Sequence, residues 1–344
     1  MAVEMFYVAS GFLISFALTG NPVYRTNFKA FYANRALRLY PIYFAVLLFA
    51  AGGFLVFPTV FGPPTLIFAE ISIGTKIYLV LSNIVLFGQD WSYLLGLEHG
   101  HLIFQPDFWN SKPPLWMFYP IPQAWTLGIE VTFYVLAPLL LLNGRVLFFA
   151  FIAAACLKLW SLNHFGGSDP WLYRIFAFEL SLFLLGAVSH RWFVPVYQMI
   201  TARFRSYLIE ASLVSLTLLL IVGLRFLTHA ANVTIMSGLW EPIASCIMFS
   251  MILPALFSFQ HQFKIGNWHA DRAIGELSYP IYISHWLMIS LSSYLFNPFL
   301  TEHKELSAFV VAGMSILASL LLIVLVAWPV EQFRKKIRNG SVRA

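Results

Sequence analysis

Apolar residues dominate this chain in runs of about twenty, the number an α-helix needs to cross roughly 30 Å of hydrocarbon. Such runs lie near residues 5–19, 39–57, 125–143, 146–163, 171–190, 207–227, 236–258, 277–297 and 307–329. Short polar or basic stretches separate them, except at residues 58–124. That long interval holds a shorter apolar stretch, Ile77 to Phe87, then a polar, proline-rich part from Gln89 to Pro122. The pattern predicts an all-α, polytopic integral membrane bundle of about nine to ten helices, with no soluble domain and no short-period repeat.

Charge sets the orientation. With Arg25, Lys29, Arg35 and Arg38 cytoplasmic and Ile77–Phe87 not crossing, four further basic sites also fall inside. They are Arg145, the Arg191–Arg205 loop, the Lys264–Arg272 loop and Arg334–Arg338, as the positive-inside rule requires. One crossing by 77–87 would put every later basic loop outside. The favoured arrangement has nine spans, an external N-terminus and a cytoplasmic C-terminus. Residues 58–124 then form an external or re-entrant cap.

Composition agrees. The 344 residues are 60% hydrophobic and 10% charged, against about 25% charged in soluble domains. The net charge of +6 collects in short loops and a basic cytoplasmic tail at 336–344, so it points to membrane topology and not to nucleic acid. Cys156 and Cys246 both lie in apolar segments and make neither a disulfide framework nor a metal site. The first apolar run lacks a basic leader and a good cleavage site, so it reads as a helix that is retained.

Ionisable side chains at membrane depth are costly, and each is a functional candidate. Arg35 and Arg38 sit three residues apart, on one helical face, where both guanidinium groups can reach one anion or anchor the loop to headgroups. Glu130 and His285 each lie inside an apolar run. A carboxylate and an imidazole could supply acid–base chemistry, or be a buried salt bridge and a buried imidazole bonded to a neighbouring helix. Glu179, beside Arg174, is a weaker candidate that could pair across helices. Lys158, Glu210, Arg225 and Glu241 are weaker still. His99, His101, His164, His229, His261, His269 and His303 have no ligand-like spacing, so no metal is expected. No glycine-rich phosphate loop or Gly-x-Ser-x-Gly elbow is present.

Five stretches, in order, resemble the acyltransferase 3 family of membrane O-acyltransferases. Val3–Ile14 resembles its second-helix motif. Arg35-Ala-Leu-Arg38-Leu-Tyr-Pro41-Ile-Tyr43 resembles its Arg-x-x-Arg element. Trp125-Thr-Leu-Gly-Ile-Glu130-x-x-Phe133-Tyr134 resembles its Trp-Ser-Leu-x-x-Glu helix, although Val131 and Thr132 stand where relatives often carry a second acid and Gln. Ser278-Tyr279-x-x-Tyr282-x-x-His285-Trp286 and Val330-Glu331-Gln-Phe333-Arg334 match the last two elements. The family usually begins with one more helix bearing a basic residue and a His base, to which no residue here corresponds.

The resemblance implies one membrane domain over residues 1–335. It implies transfer of an acyl group, commonly acetyl, from cytoplasmic acyl-CoA to a hydroxyl of a sugar, cell-surface polysaccharide or lipid-linked glycan. Acyl-CoA (acetyl-CoA) is then a co-substrate, and no permanently bound cofactor is expected. Arg35 and Arg38 would hold the CoA phosphates, and Glu130 and His285 would line the acceptor path or orient the reacting groups. The expected partners are the lipid bilayer, acyl-CoA and the glycan acceptor, in a bacterial inner membrane. Many helices with buried charges also suit a glycan or lipid transporter, and a relative lacking the usual first helix also suits a non-catalytic binding subunit.

Overall fold

A computed structural model of the chain describes residues 2–57, 70–201, 215–217, 219–220, 222–223, 234–260 and 270–339. Glu210, Arg225, His229, His261, His269 and most of the span expected over 207–227 lie outside the described residues, as does the side chain of Glu241. Among the described residues the fold is all-α apart from one small hairpin. Six helices are long and apolar enough to cross a membrane: Ala2–Gly20, Phe28–Val56, Pro122–Leu141, Gly144–Phe165, Phe176–Thr201 and Lys304–Arg338. The chain is an all-α polytopic membrane protein. Two further long helices, Thr234–Gln260 and Ala270–Glu302, coincide with the runs expected at 236–258 and 277–297.

The helices and strands run α1 (Ala2–Gly20), α2 (Pro22–Thr26), α3 (Phe28–Val56), α4 (Ile73–Val85), β1 (Leu95–Glu98) and β2 (His101–Phe104). Then follow α5 (Trp125–Leu141), α6 (Gly144–Phe165), α7 (Phe176–Val188), α8 (Val194–Thr201), α9 (Thr234–Gln260), α10 (Ala270–Glu302), α11 (Ser307–Leu322) and α12 (Trp328–Arg338). A π-helical turn, Ser189–Phe193, joins α7 to α8, and another, Ile323–Ala327, joins α11 to α12. The chain divides into two compact units, residues 1–28 with 129–264 and residues 29–128 with 265–344.

In the first unit α1 packs on α7 with the backbones nearly touching. A Cβ on Gly11 would overlap the Phe183 carbonyl, and one on Gly186 would overlap the Val8 carbonyl. Small residues that let helix backbones approach are a characteristic membrane contact, because hydrocarbon gives no hydrophobic drive between helices. Around this crossing Phe183 stacks on Tyr7, ring centres 4.8 Å apart, and on Phe133 at 4.3 Å.

In the second unit Pro41 lies inside α3, which begins at Phe28. The arginine pair is therefore two to three turns within a continuous helix, not at its mouth. Tyr279 of α10 donates to the carbonyl of Leu39, two residues before this proline, at 2.8 Å. The apolar stretch expected at 77–87 is α4. Its 13 residues rise about 20 Å, short of the roughly 30 Å needed to span. Beyond it, β1 and β2 pair through a two-residue loop in which His99 and Gly100 both have positive φ, 48° and 79°, the conformation of a tight hairpin turn. Ile71, Leu79, Leu115, Phe118 and Tyr119 form the core of this part.

The glycine crossing gives a direct check. Gly11→Leu or Gly186→Leu is expected to lower the melting temperature sharply in detergent or abolish a monodisperse fraction by size exclusion. Even one inserted methyl group in so tight a contact costs about 1–3 kcal/mol. Gly52→Ala, in open space on α3, is expected to leave both measures unchanged.

Candidate functional site

Glu130 belongs to the first unit, on α5, and is only 5% exposed. Ser10 of α1 donates to its Oε1 at 3.0 Å, and the Tyr134 hydroxyl, one turn along α5, donates to the same oxygen. Two hydroxyl donors on one oxygen fix the orientation of the carboxyl group. Both donors fall within stretches that carry the family resemblance.

Near the π-helical turn after α7, Ser15 and His190 lie 2.9 Å apart, Oγ to Nδ1, with Phe12 and Phe16 edge-on to the imidazole. Sequence reasoning missed His190. Its signal was an imidazole ending an apolar run just before Arg191. π-turns often mark functional or strained positions in helices.

Glu179 has a structural explanation. Its Oε1 lies 2.5 Å from Lys158 Nζ of α6, both side chains being buried, and the ammonium also donates to the Leu172 carbonyl. Arg174, five residues earlier, instead pairs with Asp169 at 2.7 Å. The reach from α6 to α7 satisfies two charges that hydrocarbon would not tolerate singly.

Arg35, Arg38 and His285 belong to the second unit. Arg35 is 7% exposed and lies over the Phe31 ring, 5.6 Å from its centre. Arg38, one turn on, is exposed. One guanidinium is thus packed in place while its neighbour is open to a ligand. Four residues before Arg38, beside Arg35, Asn34 Nδ2 reaches the Arg334 carbonyl at 3.5 Å, which ties α3 to α12.

His285 is half-buried and stands fifteen residues into α10, since that helix begins at Ala270 and not near 277. Its Nδ1 lies 2.6 Å from the Tyr282 carbonyl. A carbonyl only accepts, so Nδ1 carries a hydrogen, and Nε2 is the nitrogen left to exchange a proton. Tyr282 is itself held, its hydroxyl 2.8 Å from Thr126 Oγ1 and 3.1 Å from the Gln123 carbonyl. Gln123 Nε2 donates to the Ile283 carbonyl at 3.0 Å. Among the described residues no group of His, Cys, Asp and Glu is arranged to hold a metal ion.

The Lys158–Glu179 pair is testable as structure. Lys158→Met alone is expected to destabilise the folded protein by about 3–5 kcal/mol, because an uncompensated carboxylate stays buried. Lys158→Met with Glu179→Leu is expected to recover most of that loss in a detergent melting experiment. No recovery in the double variant would point to a role for Glu179 beyond pairing.

A sequence model of the acyltransferase 3 family, described as an acyltransferase domain, matches residues 1–328. Comparison with curated proteins gives no match, and comparison with solved structures gives none. The matched stretch runs from α1 to the first residue of α12. It contains Glu130 with Ser10 and Tyr134, the Arg35–Arg38 turn, and His285 with Tyr282. The chain belongs to the acyltransferase 3 family of membrane proteins.

Proposed function

We propose that the chain transfers an acyl group, acetyl in the simplest case, from acyl-CoA to a hydroxyl of a sugar, cell-surface polysaccharide or lipid-linked glycan. The reading places the arginine end of α3 and the C-terminus in the cytoplasm of a bacterium, with the protein in the inner membrane. The observation that carries it is the Arg35–Arg38 turn. Arg35 is buried and packed on Phe31 while Arg38 is exposed one turn away, a rigid base with a free fork suited to phosphate. Family membership supports acyl transfer as the chemistry.

In this reading the acceptor hydroxyl attacks the thioester carbonyl and forms the ester. The C–S bond breaks, and the hydroxyl proton passes through a base to the departing CoA thiolate. His285 Nε2 has the free lone pair of a base. Glu130, its carboxyl oriented by two hydroxyls, lines the acceptor path or orients the reacting groups. The acyl-CoA is a co-substrate, consumed each turnover.

Membranes carrying the protein, supplied with radiolabelled acetyl-CoA, test the reading. Arg38→Ala is expected to lose acyl-CoA-dependent labelling of carbohydrate at low donor concentration without loss of membrane insertion. A charge-assisted bond contributes about 1.5–3 kcal/mol, roughly ten- to hundredfold in donor affinity. Full activity of that variant would reduce the arginines to topological anchors. Glu130→Gln is expected to lower turnover while the donor KM stays unchanged.

A further inference from the structure

The second unit holds a level at which four pieces of chain meet through hydrogen bonds. α3 contributes Leu39 to Tyr43, α10 contributes Tyr279 to Ile283, the turn into α5 and its first residues contribute Gln123 to Gly128, and the end of α4 with the turn after it contributes Asn83 to Gln89. Tyr279 bonds the Leu39 carbonyl, Tyr43 donates to the Asn83 carbonyl at 2.7 Å, and Tyr40 bonds the Val85 carbonyl. A Cβ on Gly128 would come within 2.6 Å of the Leu86 carbonyl oxygen. Tyr43 is the sixteenth of the 29 residues of α3, so this level lies midway along a membrane helix. It is five residues from Arg38, about 7 Å along the axis.

α4 reaches this level with polar residues beside Leu79 on its buried face. Thr75, Ser82 and Asn83 are buried, while Ile73, Ile77, Val80, Leu81 and Ile84 are exposed, the arrangement of a helix whose outer face meets lipid. The chain then reverses at Leu86, φ 65°, and Gly88, φ 77°. The hairpin that follows returns to the beginning of α4, where Ser72 N and Thr75 Oγ1 both bond the Gly100 carbonyl at 2.9 Å. Irregular backbone occurs at membrane depth only where protein buries it or where it lines a water-filled cavity. Ends of broken segments at that depth are where membrane proteins hold their ligands.

At the tip stands Gln89, 0% exposed, with neither Oε1 nor Nε2 in a well-aligned hydrogen bond among the described residues. The amide lies toward the Tyr43 hydroxyl, whose hydrogen is already given to Asn83 and so is not available to Oε1. Asp90 is buried beside it and acts electrostatically on Tyr78 and Tyr119. An unsatisfied buried amide costs about 1–3 kcal/mol, and an apolar side chain of the same shape would avoid that cost.

We propose that Gln89 binds the acyl acceptor: the α4–hairpin segment is a re-entrant loop, and its tip carboxamide donates to and accepts from a hydroxyl of a carbohydrate-type acceptor entering from the hairpin side. A carboxamide fits a hydroxyl because both groups donate and accept. The assignment rests on the acyltransferase reading, and it sets the meeting point of acceptor and acyl group near the arginine end of α3.

Two arms test it. The first uses the full chain in sealed vesicles, with Cys156→Ala and Cys246→Ala, carrying either Gln89→Cys or the control His99→Cys in the exposed hairpin loop. A small membrane-impermeant methanethiosulfonate should modify both single cysteines from the same face. No modification of the residue-89 thiol, or modification only from the opposite face, would overturn the proposal. The second compares Gln89→Leu with the unaltered chain in membranes given radiolabelled acetyl-CoA. Labelling of carbohydrate should fall at least tenfold, with the acetyl-CoA KM within twofold and the melting temperature equal or higher. Unchanged labelling, or a raised acetyl-CoA KM, would refute an acceptor role. If the unaltered chain itself transfers no label, the acyltransferase reading fails, while the cysteine arm still decides whether the tip is open to the hairpin face.

Discussion

Hydrocarbon offers no hydrogen bonds, so each polar group on these helices has to find its partner in another piece of the same chain. That constraint organises both units. In the first, Ser10 of α1 serves Glu130 of α5, and Lys158 of α6 serves Glu179 of α7. In the second, Tyr279 serves the Leu39 carbonyl and Tyr282 serves Thr126 and Gln123. Packing follows from these bonds, because each requires two helices at one separation. Gly11 and Gly186 make the shortest such separation possible by omitting the side chains that would prevent it.

The same bonds give the chemistry its geometry. Glu130 is oriented because two hydroxyls share one of its oxygens. His285 presents Nε2 because the Tyr282 carbonyl holds the hydrogen on Nδ1. Arg35 takes the packed position on Phe31, and Arg38 is exposed one turn on. Each candidate residue is set by a neighbour that has no reactive role of its own, and that neighbour comes from a different helix or a different turn. A loss of activity after substituting Ser10, Tyr134 or Tyr282 would therefore be an orientation effect, visible in turnover more than in donor affinity.

Much of this was legible in sequence. Runs of apolar residues fixed the class and most of the helices, because length and hydropathy are local properties. Short motifs singled out Arg35, Arg38, Glu130 and His285, and residues within those same motifs make contacts between elements: Ser10 with Glu130, Tyr279 with Leu39, Thr126 with Tyr282. Four features were not legible. The start of α3 at Phe28 was hidden because its first turns are polar, and helix propensity alone is a weak signal. His190 was passed over because an imidazole at the end of an apolar run has no partner until Ser15 is brought across from α1. Lys158 gained meaning only with Glu179 opposite it. Gln89 reads as an ordinary loop residue until the chain after α4 buries it.

The sequence by itself determined that this is a helical membrane protein of the acyltransferase 3 family, and which ionisable residues deserve suspicion. Those properties depend on composition and on spacing along the chain. Tertiary structure alone decided which charges are neutralised in pairs, which oxygen of Glu130 is held, which nitrogen of His285 is left to accept a proton, and that an amide lies unsatisfied at Gln89. Hydrogen bonds are made over about 3 Å, and no periodicity in a sequence specifies which residues, more than a hundred positions apart, will come that close.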